Sequence, residues 1–173
     1  MENGPICNCG NRGCLEAIAS GPGILKRAKE GIENGIVTSI MSVINNDLSN
    51  LTVEIIAREA EKGDKFAYSI INKTGEYIGI AIAAALNLFG PELVVIGGGI
   101  ANSGDIMMDA IKRTIQIRAL GVITKKVKII RSELGENTAA LGIATKFINM
   151  LFTDNEYSLL KKKSLFENEV KNH

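Results

Sequence analysis

Residues 87–106 read Asn87-Leu88-Phe89-Gly90-Pro91-Glu92-Leu93-Val94-Val95-Ile96-Gly97-Gly98-Gly99-Ile100-Ala101-Asn102-Ser103-Gly104-Asp105-Ile106. Gly90-Pro91 stops whatever precedes it, because proline cannot continue a helix and glycine ends one cheaply. Leu93 to Ile96 is apolar throughout and largely β-branched, the pattern of a strand covered on both faces in a parallel sheet. Three glycines then release the chain into a turn. Ser103 is placed to cap a following helix, with Asp105 in its first turn and Ile106, Ala110, Ile111 and Ile115 along one face.

Downstream, Val127 to Ile130 repeats the buried-strand pattern, and Asn137 is placed to cap a last helix from Ala139 to about Phe152. The order β, α, β, α predicts parallel pairing with helical crossovers, hence an α/β fold. Two strands are too few for such a sheet, so the chain is expected to form part of a larger one. Upstream, Phe66 to Phe89 predicts a long helix with Phe66, Ile70, Ile71, Thr74 and Ile78 on one face. Beyond Gly79 its apolar residues run all the way round, which predicts burial on every side. Thr52, with Glu54 favoured by the helix dipole, predicts the start of a shorter helix through Ile55, Ile56 and Ala60 that stops near Gly63-Asp64. Gly35 to Asn50 is polar and weakly patterned, expected as a mobile connection with one helical turn. Leu15 to Gly31 predicts two short helices meeting at Gly21-Pro22-Gly23, since the residue before a proline leaves the helical region.

The 173 residues suffice for one ordinary core, and 46% hydrophobic with 23% charged residues is a globular composition. A net charge of +1 gives no electrostatic footprint for nucleic acid. The Lys161-Lys162-Lys163 run is interleaved with Asp154, Glu156, Glu167 and Glu169, as on a solvated helix face. Ile78 to Phe89 is the longest apolar stretch and falls short of the roughly 18 residues of a membrane span. The polar, Gly-rich start carries no signal-peptide pattern, so a cytoplasmic protein with no membrane or nucleic-acid partner is expected. All three cysteines fall within the first fourteen residues, an odd number that argues for a thiolate site and against a disulfide framework.

That site is Cys7-Asn8-Cys9-Gly10-Asn11-Arg12-Gly13-Cys14, with glycines where a tight turn must wrap an ion. Soft thiolates suit zinc, and a structural zinc wants four ligands in a tetrahedron. The only histidine, His173, stands at the end of a charged tail. The fourth ligand is therefore a group from a preceding segment, a water, or a carboxylate such as Glu2 or Glu16. The bland alternative is three incidental thiols. For Glu16 it is a carboxylate at a helix N-terminus satisfying the dipole.

Residues 7–21, CNCGNRGCLEAIASG, closely resemble the signature of the ROK (repressor, ORF, kinase) family, in which C-x-C-G-x2-G-C-x-E follows an E-x-G-H segment. The resemblance implies that an upstream histidine completes a structural zinc site and that Glu16 binds sugar hydroxyls. Residues 87–106 resemble the adenosine-side segment of ROK kinases, which share the actin-like and hexokinase-like (ribonuclease H-like) ATPase fold. Gly97, Gly98 and Gly99 would then approach the nucleotide. Without that resemblance they are equally a turn with no ligand: Asn102 replaces the last glycine of a dinucleotide fingerprint, and Asp105 the lysine of a P-loop. Residues 132–144, SELGENTAALGIA, resemble the family's closing strand-to-helix segment.

The expected organisation is a helix-rich C-terminal lobe of a ROK sugar kinase over residues 1–152, with the zinc loop at 1–16 and a charged helical tail at 153–173. By resemblance the family's phosphate loops and catalytic aspartate would lie before Met1, leaving no residue here to act as base. The implied activity is ATP- and Mg²⁺-dependent phosphorylation of a hexose of glucose type, absent from this chain alone. Glu16 would touch hydroxyls common to several hexoses. The alternatives are the sugar-sensing lobe of a ROK repressor and a zinc-stabilised interaction module without activity. Pairing with a complementing N-terminal fragment, or self-association, is expected of the two apolar strands.

Overall fold

The computed structural model describes residues 4–99, 103–134 and 137–153. The chain divides into two compact units, Met1–Gly135 and Glu136–His173. Of the second, the described part is a single helix, α8, Thr138–Thr153. Residues 154–173, with Lys161 to Lys163 and His173, lie outside the described residues, as does Glu2.

The first unit opens with a cysteine-bearing loop and then α1, Leu15–Ala19, and α2, Gly21–Glu33. The two helices do meet near the proline, but the break falls at Ser20 rather than at Gly21-Pro22-Gly23. Ser20 is extended and its hydroxyl accepts from Gly23 N at 3.3 Å, while Pro22 sits in the first turn of α2. There the missing N–H costs nothing, which is why the proline begins this helix instead of separating two. Gly23 is needed for another reason: a Cβ would stand 2.7 Å from the Ala17 carbonyl oxygen.

Residues 35–50 contain the helical turn expected but are more firmly anchored than their polarity predicts. They hold α3, Ile40–Val43, and a 3₁₀ turn, Leu48–Asn50. Ile40 and Ile44 are fully buried in the core, and α3 is pinned from outside by acids of the next helices. Asp64 accepts from Ser39 N at 2.6 Å and Thr38 Oγ1 at 2.8 Å, and Glu59 accepts from Ser39 Oγ at 2.6 Å. The weak pattern concealed two anchors four residues apart.

α4, Val53–Glu61, begins as expected, with Thr52 Oγ1 accepting from Ile55 N, and ends at Gly63 in a left-handed conformation. Asp64 caps α5, Lys65–Phe89, which runs until Gly90 adopts the left-handed region and its N–H closes on Leu86 O. α5 packs along α6, Gly104–Arg118, at unusually close range. A Cβ on Gly75 would lie 2.7 Å from both Met107 O and Ala110 Cβ; one on Gly79 would lie 2.7 Å from Thr114 Cβ and 2.9 Å from Ile111 O. Two glycines one turn apart thus form the groove into which Ala110 and Thr114 fit. Ile56, Ile71, Leu86, Met107, Ile111 and Ile115 close the core around this crossing.

The C-terminal half of α5 is not buried on every side. Ala83 and Leu86 are buried, but Ile80, Leu88 and Phe89 are exposed, the last at 81%. The two strands, β1 (Leu93–Ile96) and β2 (Lys128–Arg131), pair in parallel with Val94 opposite Ile129 and Val95 opposite Ile130. β2 starts one residue later than the apolar run suggests. Between them α6 and a short α7, Gly121–Thr124, make the crossover. This is the βαβ connection expected, in a sheet of two strands among the described residues. Leu93, Val95 and Ile130 are about half exposed, so the strands lack the two-sided cover their composition is suited to. No helix of the described residues is long and apolar enough to cross a membrane.

Candidate functional site

The site begins with the cysteine loop, which is folded by its own backbone. Ile6 and Arg12 form an antiparallel bridge, Cys7 N donates to Asn11 O at 2.8 Å, and Gly13 N to Pro5 O at 2.8 Å. Gly10 and Gly13 both hold positive φ, which glycine tolerates without a steric penalty. The result turns three side chains inward: the Sγ atoms of Cys7, Cys9 and Cys14 all lie within 4.8 Å of one another, with Cys9 and Cys14 at 3.6 Å. The edge of a tetrahedron built on zinc–sulfur bonds of about 2.3 Å is about 3.8 Å, so this spacing fits a shared metal ion.

The three thiols also affect one another's protonation. The Cys9 thiol is held below its ordinary value by the backbone N–H of Asn11, and then by hydrogen bonds from Cys14 and Cys7. Cys14 is pushed up to about 11, first because its proton is shared with Cys9 and then by burial. A soft divalent cation bound by such a group would have to displace these protons. Glu16, one of the candidate fourth ligands, is not part of the cluster; among the described residues the metal-ligating group consists of the three cysteines.

Glu16 is instead on the first turn of α1, two residues past Cys14. It lines an open cleft of about 420 Å³ together with Leu15, Ser20, Val53, Glu54, Gly99 and Ser103. It also lines a smaller hollow of about 280 Å³ on the side of Cys7 and Asn8. The carboxylate has no hydrogen bond or ion pair among the described residues.

The glycine turn reaches the same cleft. Gly99 lines it, whereas Gly97 and Gly98 remain at the strand exit, partly buried, with Gly98 at φ +73°. Of the three glycines expected near a nucleotide, the structure brings Gly99 to the cleft. Ser103 does not cap α6 with its side chain. It is almost fully buried, and its hydroxyl donates to Gly99 O at 3.3 Å, bracing the turn. From behind, Arg131 of β2 donates to Gly104 O and Asp105 Oδ1, both at 3.0 Å, and Gly104 packs against the Glu61 carboxylate. The start of α6 is thereby fixed to the sheet and to α4.

Val53, Ile78, Ile24 and Ala19 are apolar residues lining the same cleft. None was singled out for a site in the sequence. Ile78 was legible as an apolar helix position and Glu54 as a dipole partner; that they share a cleft with Glu16 is a fact of packing that no local pattern carries.

Comparison with known proteins places the fold. The model of the ROK family matches residues 1–149. The chain is 34% identical over 136 residues to the DNA-binding transcriptional dual regulator NagC of Escherichia coli, covering 79% of this chain and 32% of that protein. It is 31% identical over 143 residues to a glucokinase of Thermotoga maritima, covering 83% of this chain and 45% of that one. Among solved structures, a ROK family glucokinase of Streptomyces griseus in complex with glucose and AMPPNP superposes with a TM-score of 0.69 at 24% identity, covering 84% of this chain and 47% of that chain. A ROK family transcriptional regulator, a homologue of the E. coli MLC protein, superposes at 0.67 with 33% identity, covering 75% and 31%. The chain spans between about a third and about half the length of the relatives it matches. Because the family model matches residues 1–149, most of the chain, the chain belongs to the ROK family.

Proposed function

We propose that this chain supplies the sugar- and nucleotide-facing part of an ATP-dependent hexose kinase of glucokinase type. The observation that carries the reading is that Glu16, set beside the thiolate loop, and Gly99, at the end of the glycine turn, line one cleft. An unpaired carboxylate is suited to accept charge-assisted hydrogen bonds from adjacent sugar hydroxyls. A bare backbone at a strand exit allows close approach of a nucleotide. Zn²⁺ held by Cys7, Cys9 and Cys14 would cross-link the loop that leads into α1, and so hold Glu16 in place without taking part in the transfer.

The reaction of the whole enzyme would be in-line transfer of the ATP γ-phosphoryl group to a hexose hydroxyl, with Mg²⁺ neutralising the phosphates and a base accepting the hydroxyl proton. This chain's residues would bind and orient; none of them is assigned as that base. Titration calorimetry of the 173-residue chain with glucose and with AMPPNP tests the reading. Binding of both, with the glucose arm weakened about tenfold or more in Glu16→Gln, is the expected result. Failure to bind either ligand overturns it.

A second reading, the sugar-sensing part of a ROK regulator, is favoured by the 34% identity to NagC and the 33% identity to the MLC homologue. It predicts sugar binding with no response to AMPPNP, so the same titration separates the two.

A further inference from the structure

The cleft holds a second acid that neither the cysteine signature nor the glycine turn accounts for. Glu54, in the first turn of α4, lines it alongside Glu16 of α1. Glu54 is exposed, and among the described residues its carboxylate has no hydrogen bond or ion pair. Glu59, Asp64 and Glu76 of the same unit are engaged, with Lys62 and Ser39, with Ser39 and Thr38, and with Lys73 and Asn72. Glu33, Glu61, Glu92 and Asp109, like Glu54, have no side-chain partner among the described residues, so it is the cleft that sets Glu54 apart. The same cleft is lined by the apolar Val53, Ile78, Ile24 and Ala19 and by Ser20 and Ser103, whose hydroxyls are bonded to Gly23 N and Gly99 O.

An apolar lining with two acceptor groups on different helices fits a ligand with one flat or apolar face and hydroxyls at its rim. A carboxylate that accepts from two adjacent hydroxyls gains two charge-assisted bonds with one geometry. A metal is a poorer match, since Glu16 and Glu54 form no cluster with a third ligating group among the described residues.

We infer that Glu54 is a second hydroxyl-binding carboxylate of this cleft, which takes a vicinal diol of the bound ligand. The inference rests on the reading of the cleft as a sugar and nucleotide site. The diol has two sources there, the hexose ring or the ribose of the nucleotide. Its favourable interaction with the α4 dipole is independent of this role and would affect folding, not ligand choice.

The test is titration calorimetry of the full chain with glucose, adenosine and 2′,3′-dideoxyadenosine, for wild type, Glu54→Gln and Glu54→Asp. Loss of about tenfold or more in adenosine affinity in Glu54→Gln, with dideoxyadenosine unchanged, assigns the ribose diol. The same loss for glucose alone assigns the hexose diol. Either result supports the inference. Unchanged affinities for both in Glu54→Gln overturn it while leaving the site reading intact, whereas a wild type that binds none of the three overturns the site reading and this inference with it. Thermal melts by circular dichroism accompany each variant. Should Glu54→Gln not fold, Glu54→Asp keeps the charge at the helix start but shortens its reach, and must lose affinity at an unchanged melting temperature; unaltered binding then refutes the role.

Discussion

At the scale of single residues, Cys7, Cys9 and Cys14 make the clearest prediction. Protein purified without added zinc should carry about one equivalent of metal per chain, by the rule for thiolate sites. Metal analysis and thiol titration check this, and a metal-free protein with three freely titrating thiols would refute it. Asp64 makes a second. Burial alone would raise its pKa, but hydrogen bonds from Ala67 N, Ser39 N, Thr38 Oγ1 and Ser39 Oγ outweigh that and hold it below the ordinary 3.8. Glu59 is held below the ordinary 4.5, chiefly by the Lys62 ammonium and then by the Ser39 hydroxyl. Both depressed values have the same sign of linkage. Their stabilisation is complete above the unfolded values and is lost as the pH falls through and below them. Urea midpoints measured at pH 6, 5, 4 and 3 should drop steeply over the last interval, and Asp64→Asn should flatten that drop while lowering stability at pH 6.

At the scale of elements, the α5–α6 crossing sets the tolerance of the fold. Gly79→Ala gains helix propensity worth about 1 kcal/mol, but forces a methyl into contact with Ile111 O and Thr114 Cβ. Overpacking of this kind costs roughly 1–3 kcal/mol, so net destabilisation is expected in denaturant unfolding. Unchanged or increased stability would show that the helices separate without cost. The helix caps at Thr52 and the strand LVVI were legible in the sequence because each depends on neighbours in the chain. The glycine pair of α5 was not, since what makes Gly75 and Gly79 necessary is a helix some thirty residues further on. The helical turn of α3 was expected, but its anchoring was not: Ile40 and Ile44 look like two apolar residues in a polar stretch, and the bonds from Ser39 to Glu59 and Asp64 come from later helices.

At the scale of the molecule, the apolar surface is the dominant feature. Leu88, Phe89, Leu93, Val95 and Ile130 are exposed around the end of α5 and the two-stranded sheet. Unpaired strand edges beside apolar side chains act as templates for another chain. Light scattering over a dilution series should show concentration-dependent association; a monodisperse monomer at high concentration would contradict it. A coupled assay with glucose and ATP should match the control without enzyme, because no residue of this chain is assigned as base. Turnover abolished in Glu16→Ala would show that a catalytic group here has gone unrecognised. The cysteine signature made the family and the position of Glu16 legible. It could not reveal the cleft, which needs α1, α4, α5 and the glycine turn to converge from distant parts of the chain.

The parallel pairing of β1 with β2 also bears on the order of events during folding. α5 and α6 are joined by residues 90–103, whereas the two strands must be brought together across residues 97–127. Closing the shorter loop costs less entropy, and helices assemble from local contacts faster than strands pair across a crossover. The helical pair should therefore dock early, with β2 the last element of this unit to arrive. Until it does, β1 is a single apolar strand held on a finished helical scaffold, and on the ribosome β2 emerges only after that scaffold has been made. The interval between those two moments is when β1 is most open to capture by the wrong partner.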